Sequence, residues 1–270
     1  MTDVVRLEYR NVTMRFRKSG GRNELTAVQN VSFSVRDGEV VSLIGPSGCG
    51  KSTLLNIGSG LTAPSEGEAF VDGERVTGPN AHVAFMLQKD LLLPWRTIAE
   101  NVMFGVEIQG VPLPERRRRA QNLLEKFNLA EFSAHYPHQL SGGMRQRVAL
   151  ARTLAVDPHV LLLDEPFSAV DAQTRIVLQR DLAKTLREAQ KTALLITHDL
   201  LEAVTLSDRV LVMSRRPGAI VDEIKIDVPR RDDPIARRGD PKVNAYVARL
   251  MDRLDIAHAS LEQQPAGGAA

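Results

Sequence analysis

Residues 45–52 read GPSGCGKS and lie between an apolar run that ends at Ile44 and a pattern typical of a helix. Glycines in such a loop let successive backbone N–H groups point inward around a phosphate, and the helix that follows presents its positive end. The Lys51 ammonium can reach the β- and γ-phosphates, and the Ser52 hydroxyl can ligate Mg²⁺. The complete spacing and both flanks predict a strand, loop and helix that bind a nucleoside triphosphate.

The residues expected to surround the phosphates are Gly45, Pro46, Ser47, Gly48, Cys49, Gly50, Lys51, Ser52 and Thr53. Cys49 is the only cysteine of the chain, so an internal disulfide is excluded and a reducing compartment is indicated. Two interpretations of its thiol stay open. The surrounding N–H groups would favour a reactive thiolate, or the residue is simply small enough to fit the loop.

A second apolar run, residues 160–163, ends in two adjacent carboxylates, Asp164 and Glu165. Its length and composition predict a strand that is buried on both faces. Neighbouring side chains of a strand point to opposite faces, so the two carboxylates should have different roles. We expect Asp164 to bind Mg²⁺ through water and Glu165 to polarise the water that attacks the phosphate.

Strands alternate with helical patterns through much of the chain, which predicts an α/β fold with a mainly parallel sheet, typical of a P-loop nucleoside triphosphatase core. Residues 5–12 and 27–35 alternate in polarity and predict an antiparallel β subdomain. Residues 208–228 predict a further antiparallel pair with its bend at Arg216-Pro217-Gly218. Between about residues 90 and 157 the pattern indicates an inserted helical subdomain.

The bulk composition excludes several classes of protein. Charged residues make up 25% and apolar residues 43%, which is typical of a globular domain. The net charge of +2 is too small to indicate nucleic-acid binding, and the four arginines at 116–119 are expected to form a solvated helix face. The sequence shows neither a secretory signal nor an apolar run long enough to span a bilayer. We therefore expect a cytosolic protein whose membrane role, if it has one, depends on a partner.

The segment LSGGMRQRVALAR at residues 140–152 places Gly142 and Gly143 where a basic helix begins, and this is a second candidate anion site. The chain also contains, in order along residues 7–228, GPSGCGKS, Gln88, this segment, VLLLDEP, SAVDA and LLITHD. With these motifs the chain resembles the ATP-binding cassette (ABC) ATPases. The resemblance implies a cassette domain at residues 7–229 and an ATP hydrolase that uses ATP and Mg²⁺. In residues 230–270 the sequence pattern itself predicts an amphipathic C-terminal helix near 243–254 and a disordered tail in the final ten residues.

In that family two cassettes face each other head to tail, and the LSGG segment of one closes over the ATP of the other. The resemblance implies that Ser141, Gly142 and Gly143 serve the γ-phosphate of a nucleotide held by a second copy of the chain. It implies further roles for four residues: Gln88 touching Mg²⁺ and the attacking water, His198 contacting the γ-phosphate, Asp171 bridging to the opposite phosphate loop, and Phe16 stacking on adenine. Lys51, Gln88, Glu165 and His198 are the predicted catalytic residues, and Ser52, Gln88 and Asp164 the predicted metal ligands.

The segments LLLPWRT, DEPFSAVDAQTR and SRRPGAIVDEIKIDVPRRDDP resemble those of importer ATPases of the nitrate/sulfonate/taurine group. This resemblance implies a peripheral protein on the cytoplasmic face of the membrane, with integral membrane permease subunits as partners and, indirectly, a substrate-binding protein. Residues 90–97 carry three leucines and the only tryptophan, and they either dock a permease or cover the helical subdomain. An exporter ATPase and a soluble cassette ATPase outside transport are the alternatives, and no nucleic-acid partner is expected.

Overall fold

The computed structural model describes residues 4–17, 24–168 and 170–259. Its strands are β1 (Val5–Arg17), β2 (Glu24–Arg36), β3 (Val40–Ile44), β4 (Glu66–Val71), β5 (Glu74–Arg75), β6 (Val83–Met86), β7 (Val160–Asp164), β8 (Thr192–Ile196), β9 (Arg209–Met213) and β10 (Ile220–Lys225). Its helices are α1 (Lys51–Gly58), α2 (Ile98–Ile108), α3 (Leu113–Lys126), α4 (Gly142–Ala155), α5 (Ala172–Glu188), α6 (Leu200–Leu206), α7 (Pro234–Arg238) and α8 (Pro241–Ala259).

The larger sheet has the strand order β10-β9-β3-β8-β7-β6. All of its neighbouring strands are parallel except β10, which runs antiparallel to β9. Every residue of β3, β7 and β8 is buried, which explains why these strands appear in the sequence as continuous apolar runs. The predicted α/β fold with a mainly parallel sheet is confirmed.

The smaller sheet is antiparallel and has the order β2-β1-β4-β5. The two predicted strands near its start are confirmed, although each extends to 13 residues. Strand β4 was not predicted, because it begins with the exposed Glu66 and Gly67 and buries only Ala69 and Val71. The Tyr9 hydroxyl donates to the Leu54 carbonyl at 2.8 Å, so this sheet is held against α1 and the phosphate loop before it.

Between β6 and β7 the chain is helical, with α2, α3, α4 and two short 3₁₀ turns, Ala130–Phe132 and Pro137–Gln139. Helix α2 begins with a capping box in which the Thr97 side chain and Glu100 satisfy each other's backbone N–H groups. Apolar side chains of these helices share one core with β7 and α5, including Val102, Leu124 and Val148. This helical region is the one predicted at about residues 90–157, and the domain boundaries themselves remain a prediction.

The C-terminal part of the described chain packs against the edge of the larger sheet. Helix α8 buries Val243 and Leu250 in a cluster with Ile44 and Val210. The buried Arg237 of α7 donates to several backbone carbonyls, among them those of Val228, Val204, Thr205 and Ser207. The tail predicted to be disordered lies, from residue 260 onward, outside the described residues. None of the helices in the described ranges combines the length and the apolar character needed to cross a bilayer.

Candidate active site

The phosphate loop leaves β3 after Ile44 and enters α1 at Lys51. Gly50 precedes the helix with a φ of 107°, and a Cβ atom there would lie 2.3 Å from Cγ1 of Val28. Both the left-handed backbone and the close approach of β2 therefore require glycine. The chain turns at this point so that the first N–H groups of α1 are free for an anion.

Lys51 is largely buried, and its ammonium donates to the carbonyl oxygens of Gly45 and Pro46 at 2.8 and 3.0 Å. These contacts hold the ammonium across the mouth of the loop. Its hydrogen-bond partners are neutral carbonyls, so the ammonium keeps its positive charge and can attract a phosphate.

A cavity of ≈ 340 Å³ lies over this loop. Its lining combines the apolar residues Phe16, Leu25 and Ala27 with the polar residues Ser47, Lys51, Ser52 and Glu165. Aromatic and apolar side chains together with a cation and hydroxyl groups suit a molecule with a flat ring and a phosphate chain. Phe16 is 43% exposed, so its ring is available for stacking, and its predicted contact with adenine remains a prediction.

Asp164 ends β7 beside the phosphate loop, and its side chain is hydrogen-bonded to that of Ser52. Burial raises the pKa of Asp164, the Ser52 contact lowers it, and the neighbouring charge of Glu165 raises it further. A buried carboxylate in this position is stabilised by a cation, and carboxylate and hydroxyl oxygens are ligands that Mg²⁺ accepts. The donor set formed by Asp164 and Ser52 therefore fits the predicted metal.

Glu165 has a φ of 45°, in the left-handed region that residues other than glycine rarely adopt, and its N–H donates to the Ile196 carbonyl at 3.0 Å. The Gln88 amide donates to its Oε2 at 3.0 Å, and Nδ1 of His198 lies 3.4 Å from the same oxygen. Strands β6, β7 and β8 are neighbours and parallel, so the residues that follow them meet at one edge of the sheet. The structure thus brings together three of the predicted catalytic residues, whose individual roles remain predictions.

The structure does not bring the LSGG segment to this cavity. Ser141 caps α4 by accepting from the N–H of Met144 at 3.3 Å, and neither Ser141, Gly142 nor Gly143 lines the cavity. Asp171 likewise caps α5, accepting from the N–H groups of Gln173 and Thr174. The predicted anion site at the start of α4 thus lies outside the chain's own cavity, and its service to a second copy of the chain remains a prediction.

The segment of residues 90–97 is partly buried. Leu91 and Trp95 are 54% and 72% exposed, whereas Leu92 is buried in the helical core. The fully buried Asn101 of α2 accepts from the Leu93 N–H at 2.8 Å and donates to three carbonyls, so it fixes the shape of this segment. This role of Asn101 was not predicted, because no local sequence pattern indicates it.

Two arginines of α4 also hold this segment. Arg145 forms an ion pair with Asp90 at 3.0 Å, and Arg152 donates to the carbonyls of Asp90 and Leu91 at 2.6 and 2.9 Å. A second cavity, of ≈ 700 Å³, lies between residues 88–92 and the first turns of α4. The sequence predicts only that both arginines lie on a basic helix, because their contacts with residues 90 and 91 have no local signal.

Two further residues bear on the loop, Cys49 within it and Arg216 beside it. Cys49 is 1% exposed and burial raises the pKa of its thiol, although Lys51 nearby lowers it, which favours the interpretation that the residue is simply small enough to fit. Arg216 donates to the Gly48 carbonyl through Nη2 at 2.7 Å and through Nε at 3.1 Å, and it lines the cavity. The sequence assigned Arg216 only to a bend, because its proximity to the loop depends on the pairing of β3 with β9.

The chain is similar in sequence and in fold to known proteins. The profile of the ABC transporter family matches residues 28–168. The uncharacterized ABC transporter ATP-binding protein MJ0412 of Methanocaldococcus jannaschii is 47% identical over 229 residues, 85% of this chain and 85% of that protein. The taurine import ATP-binding protein TauB of Roseobacter denitrificans is 44% identical over 220 residues, 82% of each chain.

A solved dimeric structure of the ATP-binding cassette MJ0796, in a post-hydrolysis state bound to ADP and Pi, is also similar. Its TM-score is 0.73 and its sequence identity is 34%, over 82% of this chain and 98% of that one. The motifs, the fold, the family profile and these relatives agree. The chain belongs to the ABC transporter family and is one of its ATP-hydrolysing proteins.

Proposed function

We propose that the chain is the ATPase subunit of an importer for a small solute of the nitrate, sulfonate or taurine type. The similarity to the taurine import protein, at 44% identity over 82% of the chain, supports this class of transporter. The observation that carries the proposed chemistry is the position of Glu165. This residue lines the cavity over the phosphate loop, accepts a hydrogen bond from Gln88 and lies 3.4 Å from His198.

In the proposed reaction the γ-phosphate of ATP is transferred to water. Lys51 and the N–H groups of the loop bind the phosphates and offset the charge that develops on them. Glu165 orients the attacking water and accepts its proton, while Gln88 and His198 hold the carboxylate and the γ-phosphate in place. Ser52 and Asp164 would hold Mg²⁺, which supplies further positive charge to the phosphates when it is bound.

The proposed site is completed by a second copy of the chain. Ser141 and the N-terminus of α4 form an anion site outside the chain's own cavity, and the similar cassette MJ0796 is a dimer in its solved structure. We infer a head-to-tail dimer in which each LSGG segment closes over the nucleotide of its partner. A two-fold axis relates the two copies, so the same two surfaces meet twice and form two identical sites.

The exposed part of residues 90–97 is the proposed contact with the permease. Leu91 and Trp95 present exposed apolar surface, and Leu91 also lines the ≈ 700 Å³ cavity, which is large enough to receive a short segment of another protein. Binding there would hold the protein peripherally on the cytoplasmic face of the membrane. A substrate-binding protein would act on the same transporter without touching this chain.

The test of the enzymatic role is Glu165→Gln, compared with Glu74→Gln on the exposed β5. Phosphate release should fall by about 100-fold or more in the first variant and stay unchanged in the second. ATP affinity should survive in both, and Glu165→Gln should elute as an ATP-dependent dimer in size-exclusion chromatography with light scattering. Turnover at the parent rate in Glu165→Gln would reject the assigned role.

The importer class is tested separately. Proteoliposomes that contain the complete transporter should accumulate taurine, an alkanesulfonate or nitrate when ATP is supplied on the side of this chain. Release of solute in the opposite direction would favour an exporter instead.

A further inference from the structure

Two exposed histidines lie side by side at the end of the larger sheet that is remote from the nucleotide cavity. His82 and His159 directly precede β6 and β7, whose parallel register pairs Val83 with Val160. The backbone N–H of His159 donates to the backbone carbonyl of His82 at 2.9 Å, and the centroids of the two imidazole rings are 4.5 Å apart. The pairing of the strands therefore fixes the two histidines next to each other.

The turn between β4 and β5 adds a carboxylate to this pair. Asp72 has a φ of 52° in that turn, and its Oδ2 lies 2.6 Å from Nδ1 of His82 and 2.6 Å from Nδ1 of His159. Its other oxygen, Oδ1, accepts from Arg6 at 2.8 Å, and Arg6 in turn pairs with Asp37 at 2.7 Å. Arg6 thus orients the Asp72 carboxylate from the side opposite the histidines, and Asp37 balances the charge of Arg6.

Hydrogen-bond donors face both oxygens of Asp72, Arg6 at Oδ1 and the two histidines at Oδ2. A carboxylate surrounded in this way only accepts hydrogen bonds. Both imidazoles must place a proton on the nitrogen that faces the same oxygen. A divalent cation could replace these two protons and bind one oxygen and two nitrogens at once.

We propose that Asp72, His82 and His159 form a binding site for Zn²⁺ or a cation of the same class. The donor atoms of the three side chains all lie within 4.8 Å of one another. Zinc bonds of about 2.0–2.1 Å in a tetrahedron place neighbouring donors about 3.3 Å apart. The imidazoles have to move outward by about 0.7 Å to reach that spacing, which their exposure of 52% and 45% permits.

The chemistry of the three donors favours zinc over magnesium, because two imidazole nitrogens suit zinc whereas Mg²⁺ prefers an all-oxygen shell. Arg6 keeps its bond to Oδ1 and acts as the outer partner that orients a ligating carboxylate. Three protein ligands leave a fourth position, which faces solvent. The bound cation would fasten the β4–β5 turn to the amino ends of β6 and β7.

The site is distinct from the catalytic one. Glu165 follows His159 by six residues along β7, a distance of about 20 Å in an extended strand. Zinc can also bind near Glu165 and His198, so the experiment must separate the two locations. The chain offers His138, which is exposed in the turn Pro137–Gln139 and remote from the cluster in sequence, as a matched control.

The test is calorimetric titration of the full chain, without a polyhistidine tag, with ZnCl₂ at pH 7.5, and separately with MgCl₂. We expect a zinc site whose affinity falls on the order of 100-fold in His82→Asn and in His159→Asn, and about 10–100-fold in Arg6→Gln. His138→Asn and Glu165→Gln should bind zinc at this site as tightly as the parent. Circular dichroism spectra that match the parent show that each variant is folded.

Cobalt substitution gives a second readout, because Co²⁺ in a site with two imidazoles and a carboxylate absorbs visible light. That absorption should disappear in His82→Asn and persist in His138→Asn. Zinc affinity that is equal in the parent and in His82→Asn overturns the proposal. So does the loss of zinc binding in Glu165→Gln with full retention in His82→Asn, which would place the cation at the catalytic edge.

Discussion

The buried carboxyl group of Glu202 should make the protein less stable as the pH rises through neutrality. Glu202 lies on the first turn of α6, is 4% exposed, and accepts from the Gln179 amide at 3.0 Å. Burial raises the pKa of Glu202 to about 7 from an ordinary value of 4.5, while a hydrogen bond from Thr197 lowers it and the charge of Asp199 raises it. The folded protein therefore holds this proton more tightly than the unfolded chain does.

The sign of the effect follows from that difference. The stabilisation is complete below the unfolded pKa and is lost as the pH rises through the folded pKa. The two pKa values differ by 7 − 4.5, so the full effect is about 3 kcal/mol. Between pH 6 and pH 8 the free energy of unfolding should fall by about 1 kcal/mol because of Glu202 alone.

Glu202→Gln keeps the shape and can still accept from Gln179, but it has no charge to bury. We measure the free energy of unfolding by urea denaturation with circular dichroism at pH 6, 7 and 8. In the variant it should fall by about 1 kcal/mol less over this range than in the parent, and the variant should be the more stable protein at pH 8. Glu131→Gln, on the exposed turn Ala130–Phe132, should follow the parent at all three values. A loss of stability in Glu202→Gln as steep as that of the parent would refute the reasoning.

Asn101→Ala should lower the free energy of unfolding by about 2–4 kcal/mol, because the buried backbone groups around Leu93 lose their hydrogen-bond partner. The control Asn122→Ala, at an exposed position of α3, should change the free energy of unfolding by less than about 0.5 kcal/mol. Urea denaturation measures both, and equal effects would contradict the assigned role of Asn101. Cys49 should react with a disulfide reagent at least about 100-fold more slowly in the native protein than in guanidinium, because the thiol is buried and its pKa is raised. Equal rates, read from thiolate release by absorbance, would show that the loop opens freely.

The strands that carry the site were predictable because burial on both faces leaves a plain trace in the sequence. Strands β3, β7 and β8 are short apolar runs, and the polar residues after them fall at the edge where Glu165 and His198 meet. Strand β4 does not appear as an apolar run, since part of its surface faces solvent. Helix α6 was missed because it has only seven residues, fewer than two turns of periodicity.

Contacts between segments that are distant in sequence were not predictable. Arg216 reaches the Gly48 carbonyl over 168 positions, and the pairing of the strands that brings them together has no local signature. The cluster of Asp72, His82 and His159 depends in the same way on the register of β6 against β7 and on the position of the β4–β5 turn. Sequence patterns indicate which residues can do chemistry, whereas the sheet order decides which of them meet.

The two arginines that join α4 to residues 90–97 have a mechanical consequence. Arg145 lies one turn beyond Ser141, and Arg152 lies two turns further along the same face of the helix, so the segment is anchored at two points on a rigid rod. A displacement of Ser141 at the start of the helix would therefore be passed on to residues 90–91, which Arg145 and Arg152 hold. In the proposed transporter, α4 would couple the nucleotide of the partner copy mechanically to the permease.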